Sequence, residues 1–157
     1  MFFAQVYARF NHIAIAEIIL SILGEPKILL TVNTVHNYIS PIDMMIRKGA
    51  IASYKDSLMV IPFNMEDGLL ICRGKSNEGW NFSAPHGAGR IGSRAWAKEN
   101  LNLEQARAGM SSKGIYSSNI PIDETKGAYK SSEMIKAAIG PTAEIIHQVR
   151  PILNIKA

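Results

Sequence analysis

The chain has 157 residues, the size of one ordinary domain. With 47% of them hydrophobic and 19% charged it can close a core, which excludes disordered, collagen-like and low-complexity classes. Seventeen Lys and Arg against thirteen Asp and Glu leave a net charge of +4, a mild excess that suits an anionic partner without identifying one. The one cysteine, Cys72, lies in the apolar run Leu69-Leu70-Ile71-Cys72, which points to a buried, inert thiol and a reducing, cytoplasmic compartment.

From Phe3 to Leu23 apolar residues recur at helical spacing (Phe3, Val6, Tyr7, Phe10, Ala14, Ile18, Ile22), and Gly24 with Pro26 supplies a stop. The pattern predicts one long helix, largely buried. Its most apolar part, Ile13 to Leu23, is interrupted by Glu17 and falls short of the ~20 residues of a membrane span, so no membrane partner is expected. Segments rich in β-branched and aliphatic residues follow at Ile28 to Val35, Ala50 to Tyr54, Leu58 to Ile61 and Leu69 to Arg73, separated by polar and glycine clusters that predict strands. Helical character returns over Ala88 to Asn100 and Leu103 to Ala108, the latter ended by Gly109. Two further helical pieces, Ser131 to Ile139 and Thr142 to Val149, are broken at Gly140-Pro141, and a last strand covers Ile152 to Ile155. With no repeat and no linker composition, residues 1–157 read as one α+β unit, a mixed sheet with flanking helices. Because the chain opens directly into an apolar helix, the unit is expected to be incomplete at its N-terminus.

The most informative stretch is Ser83-Ala84-Pro85-His86-Gly87-Ala88-Gly89-Arg90-Ile91-Gly92-Ser93-Arg94. Glycines just after a histidine let backbone N–H groups approach a ligand closely, and a helix beginning there would add its positive end, so the segment reads as an anion site. Arg90 and Arg94, four residues apart, would share a helix face and reach phosphate oxygens, with Ser93 adding a hydroxyl. The same residues are also compatible with a plain turn, a structural histidine and two solvated arginines.

The string His86-Gly87-Ala88-Gly89-Arg90, with Ser93-Arg94 and Ala97-Lys98, resembles the signature of the RtcB family of RNA-splicing ligases. The resemblance begins near Ala4-Gln5, Tyr7-Ala8 and Asn11, continues through Val35-His36-Asn37-Tyr38 and Arg47-Lys48-Gly49-Ala50, and then Asp123-Glu124 and Ala128-Tyr129-Lys130, and ends at Asn154-Ile155-Lys156-Ala157. It implies a GTP- and Mn²⁺-dependent enzyme that joins an RNA 3′-phosphate, or a 2′,3′-cyclic phosphate after opening, to a 5′-hydroxyl in tRNA splicing or RNA repair. By the resemblance His86 is the nucleophile that takes GMP from GTP, and His36 is a metal ligand. Asn37, Pro62, Met65, Gly87, Ala88, Gly89 and Lys156 would meet the nucleotide, while Lys48, Arg90 and Arg94 would meet RNA or phosphate.

Three departures shape these expectations. The family's Pro-Gly-Ser-Met-Gly-Thr loop is Pro62-Phe63-Asn64-Met65-Glu66-Asp67 here, with Leu69 in place of a following serine. Hydroxyls are lost and two carboxylates are placed near the expected phosphate site, which puts nucleotide affinity and choice in question. Gly92 replaces the signature's methionine. The family's other metal ligands, a cysteine in an Asp-Val-Gly-Cys-Gly-type motif and two histidines, have no counterpart in this sequence. The chain is therefore expected to be a C-terminal portion of such a ligase, of a divergent branch, binding Mn²⁺ poorly alone and needing a complementary N-terminal fragment. The alternatives are a non-catalytic phosphate- or RNA-binding module, or a truncated product without its own function.

Overall fold

The computed structural model describes residues 2–156. The first helix, α1, spans Phe2–Ile22 and stops at Gly24, whose φ of +77° is the left-handed turn that glycine tolerates. Its burial is not as expected. No residue of α1 is buried and Phe3 is 93% exposed. The helix is tied down by polar contacts instead: Gln5 makes two hydrogen bonds with the Ile39 backbone, and His12 Nδ1 lies 3.2 Å from Asn33 Oδ1. The strand expected over 28–35 does not form. That segment runs exposed beside the sheet, and its contact with the ladder is Thr34 Oγ1 accepting from the Val60 N–H at 3.1 Å.

Four small sheets follow in place of one mixed sheet, within the same α+β class. Strands β1 (Asn37–Ile39) and β2 (Ile46–Lys48) pair antiparallel. Strand β3 (Ala50–Ala52) pairs with β6 (Ser83–Pro85). Strands β4 (Leu58–Asn64), β5 (Gly68–Gly74) and β8 (Ala143–Val149) form the largest sheet, in the order β4-β5-β8. Short β7 (Tyr116–Ser117) and β9 (Leu153–Asn154) pair in parallel. The period-2 alternation of β4 turns Met59, Ile61 and Phe63 inward, where Met59 faces Cys72 and Ile61 faces Leu70 in register. These side chains pack with Ile51, Ala84 and Ala88 and with Ile135 and Ile139 at helix α4 (Ser132–Ala138). At about 1.5–3 kcal/mol for each large apolar side chain removed from water, this cluster is the principal stabiliser of the unit.

Three other expectations are corrected. Thr142 to Val149 is not a helix but holds β8, because the open edge of β5 offers a ladder of partners from Gly74 to Leu69. The predicted helix over Ala88 to Asn100 begins only at Arg94, so α2 is Arg94–Asn100. Gly89 has φ +71° and Arg90 bridges to Tyr129, which holds residues 88–93 in an open course. Helix α3 (Leu103–Ser112) passes through Gly109 and stops just before Gly114, at φ +69°. Cys72 is fully buried, as expected, and burial pushes its thiol up to about 11. Among the described residues no helix is long and apolar enough to cross a membrane.

A buried ionic knot, absent from the sequence reading, locks β2 to the β3–β6 pair. Arg47, 3% exposed, pairs with Asp43 and donates from Nε to Ser83 Oγ at 2.9 Å; the Tyr54 hydroxyl donates to Asp43 at 2.7 Å. The Arg47 hydrogen bond outweighs burial and holds the Asp43 carboxyl well below the usual range. Arg47→Ala leaves that carboxylate without its cation, held by Tyr54 and the Met45 N–H, and should lower unfolding stability by about 3 kcal/mol at neutral pH. The folded value of Asp43 is depressed, so this stabilisation is complete above the ordinary value near pH 4 and fades as the pH falls through the folded one. In urea titrations the gap between wild type and R47A should accordingly narrow on acidification.

Candidate functional site

His86 is placed by backbone. Pairing of Ala50 with Pro85 and of Ile51 with Ala84, both of the latter in the core, brings the chain out of β6 beside two neighbours. The His86 N–H points to the Gly49 carbonyl at 3.4 Å, and the Ala88 N–H to the Pro62 carbonyl at 3.2 Å. A Cβ on Gly87 would stand 3.0 Å from that Pro62 oxygen, so only glycine permits this approach without displacement. The imidazole of His86 stacks on that of His36, with centroids 4.2 Å apart and planes 20° from parallel. Burial first, and then the neighbouring His36 ring, push the His86 pKa below its ordinary value, favouring the neutral imidazole.

Two clefts meet at this ring. One, of about 650 Å³, is bordered by Pro62, Met65, Gly87, Ala88, Gly89 and Lys156, six residues singled out in the sequence, together with His86 itself and Arg90. Lys156 is carried there by the β7–β9 pair and by Ser118, whose Oγ accepts from the Lys156 N–H at 3.1 Å. Asn154, not foreseen, donates from Nδ2 to the Met65 carbonyl at 3.0 Å and closes that wall. The second cleft, of about 480 Å³, lies towards α1 and is lined by His12, Asn33 and His36 as well as His86. The spacing of His12 within α1 carries no sign that it lines a cleft with the other two histidines.

Other predicted residues stand apart. Asn37, Lys48 and Arg94 line neither cleft. Asn37 Oδ1 accepts from the Gly49 N–H at 3.2 Å, while Lys48 and Arg94 are exposed. Arg90 and Arg94 do not share a helix face, since only Arg94 is helical; they meet on Asp123, Arg90 at 3.6 Å and Arg94 at 3.5 Å. Arg90 also pairs with Glu124 at 2.7 Å, donates to the Asp123 carbonyl and lies over the Tyr129 ring. Tyr129 in turn donates to Glu124 at 2.8 Å; burial and that carboxylate push its hydroxyl up to about 12. Ser93 caps α2, accepting from the Trp96 N–H at 3.0 Å, so its hydroxyl and the helix end serve each other rather than the cleft.

The two carboxylates of the altered loop also face away from the cleft. Asn64 Oδ1 accepts from the N–H groups of both Glu66 and Asp67 at 2.9 Å, building a closed turn. Glu66 binds Lys113 at 2.7 Å, and Asp67 is held by Lys126, Ser132 and Asn64. Burial pushes Asp67 up, but these hydrogen bonds prevail and its pKa lies below the usual value. Neither carboxylate lines the cleft bordered by His86. Among the described residues no three carboxylate, thiolate or imidazole side chains are placed to hold a metal ion; His36 stacks on His86, and His12 lines the same cleft. The residues present do not by themselves fit a manganese ion.

A neutral imidazole beside a glycine turn, with a lysine across the cleft, suits a phosphorylated ligand. Comparison with known proteins identifies the lineage. A family model described as tRNA-splicing ligase RtcB matches residues 1–157. The RNA-splicing ligase RtcB of Escherichia coli is 30% identical over 170 residues, and RNA-splicing ligase RtcB1 of another Escherichia coli strain matches equally. The chain belongs to the RtcB family. Each match covers 98% of this chain but 41% of the relative, so the chain spans about two-fifths of the length of these curated proteins.

Two measurements test this geometry. By NMR titration His86 should show a midpoint below the ordinary 6.5, since the folded environment disfavours its cation. Glu66→Gln, which loses one half-exposed ion pair, should cost at most about 1 kcal/mol in urea unfolding and leave nucleotide binding by calorimetry unchanged.

Proposed function

We propose that this chain carries the nucleotidyl-transfer portion of an RtcB-type RNA ligase, with His86 as the nucleophile and GTP as co-substrate. The observation that carries this reading is the meeting of His86, the Gly87-Ala88-Gly89 turn and Lys156 at one cleft. The neutral imidazole attacks the α-phosphorus of GTP, a P–N bond forms, the bond to the β-phosphate breaks, and pyrophosphate leaves as the ring gives up its N–H proton. An oxygen of the RNA 3′-phosphate then attacks the same phosphorus; the P–N bond breaks and the imidazole is restored. Finally the 5′-hydroxyl of a second RNA end attacks the activated 3′-phosphate and GMP departs. The glycine turn brings backbone donors to the phosphates, and Lys156, which has no carboxylate partner among the described residues, contributes a cation at the same cleft. The end to be joined is a 3′-phosphate or an opened 2′,3′-cyclic phosphate, in cytoplasmic tRNA splicing or RNA repair.

Manganese enters this reading as a requirement that the chain does not meet alone. His36 would be one donor, and the others would come from a complementary ligase polypeptide. The exposed apolar surface of α1, which forms part of the wall of the His36 cleft through Ile13 and Ala16, is where such a polypeptide would pack.

A second reading, a phosphate- or RNA-binding module without transfer, is favoured by two observations. Asn64 uses two N–H groups of the altered loop, and Glu124 and Asp123 offset the charge of Arg90. The chain is to be incubated with Mn²⁺ and α-labelled GTP, with and without the N-terminal half of a family member. Transfer predicts label on the chain in the mixture, lost in acid, stable in alkali and abolished by His86→Ala. No label in either case rules transfer out, and RNA binding that weakens with salt would then support the module.

A further inference from the structure

We propose that Gly49 is a positioning residue for the His86 ring, and that Asn37 acts on the reaction by holding the Gly49 peptide. The inference deepens the proposed transfer reaction and rests on His86 being its nucleophile. The backbone of one residue, Gly49, bonds to the backbones of both histidines through its two flanking peptide groups. The Gly49 N–H donates to the His36 carbonyl at 3.0 Å and to Asn37 Oδ1 at 3.2 Å, while the Gly49 carbonyl receives the His86 N–H at 3.4 Å. The Gly49 α-carbon faces the ring: a Cβ built there would stand 3.8 Å from His86 Cδ2, in ordinary contact with it. The backbone is left-handed at φ +69°, which glycine adopts freely and other residues resist.

These contacts have a geometric consequence. The His36–His86 stack joins one residue just before β1 to another just after β6, from sheets with no strand in common. Gly49 stands between β2 and β3, the adjoining strands of those two sheets, so its conformation sets the offset between the rings. Asn37 reaches the same N–H from the end of β1, where it is the register partner of Lys48. Since Asn37 lines neither cleft, its acceptor oxygen serves the Gly49 peptide in this structure.

The prediction is read first on the free chain with ¹³C-labelled histidine. Wild type should show nuclear Overhauser contacts between the His36 and His86 rings. Asn37→Leu, which removes the acceptor, and Gly49→Ala, which strains the left-handed turn, should lose them while the methyl signals of Ile61 and Leu70 keep their core positions. Asn37→Asp, which keeps an acceptor oxygen, should retain them. In the mixture with the complementary ligase half, Gly49→Ala should label with GMP roughly 10- to 100-fold more slowly at an unchanged half-saturating GTP concentration, the loss expected from a misplaced nucleophile. Ring contacts that survive both Asn37→Leu and Gly49→Ala would overturn the proposal, and their loss in Asn37→Asp would overturn the role of Asn37. If the wild type takes no label, the transfer reading falls, and the ring contacts still decide what positions His86.

Discussion

The arrangement depends on backbone meeting backbone at a seam between small sheets. His86 leaves β6 between two carbonyls, those of Gly49 and Pro62, and residues 86–88 can enter that gap because Gly87 has no Cβ. Three-residue strands hold little stability individually; the pairing of β3 with β6 persists because Ile51 and Ala84 are embedded in the same core as Met59, Ile61 and Leu70. The site is thus referenced to the buried core although its own segment is a loop. On the other side, the Arg47–Asp43 knot secures β2, and through β2 the chain that presents His36 and Gly49.

Charge around the cleft is arranged with restraint. Glu66 and Asp67 are drawn away by Lys113, Lys126 and Ser132, and Arg90 is clamped by Asp123 and Glu124. What remains is a weakly charged pocket with a neutral imidazole and a lysine at its borders, in which backbone geometry contributes more than side-chain cations. A neutral ring keeps its lone pair. Neutralising a triphosphate would call on a metal ion and on donors beyond His36.

The apolar helix α1 is the other unusual element. A helix this apolar is ordinarily enclosed, yet here it is held by Gln5 and His12, walls one side of the His36 cleft and has no buried residue.

Local patterns in the amino-acid sequence determined the α+β class, α1 and its glycine stop, the alternating strands β4 and β5, helix α4 and the buried thiol. Each of these follows from residue spacing or from a residue's own conformational preference. The family resemblance singled out His86, the glycine turn and Lys156, which line one cleft in the fold. Tertiary structure decided the rest. Thr142 to Val149 has a composition that serves helix or strand, and the free edge of β5 selected the strand. Residues 88–93 were turned from helix by the Arg90–Tyr129 bridge, and the carboxylates of the 62–69 loop were aimed away by partners some fifty to sixty-five positions distant in the chain. The roles of Gly49, His12, Asn154 and the Arg47 knot arise only from contacts between segments far apart in sequence, which local propensity does not encode.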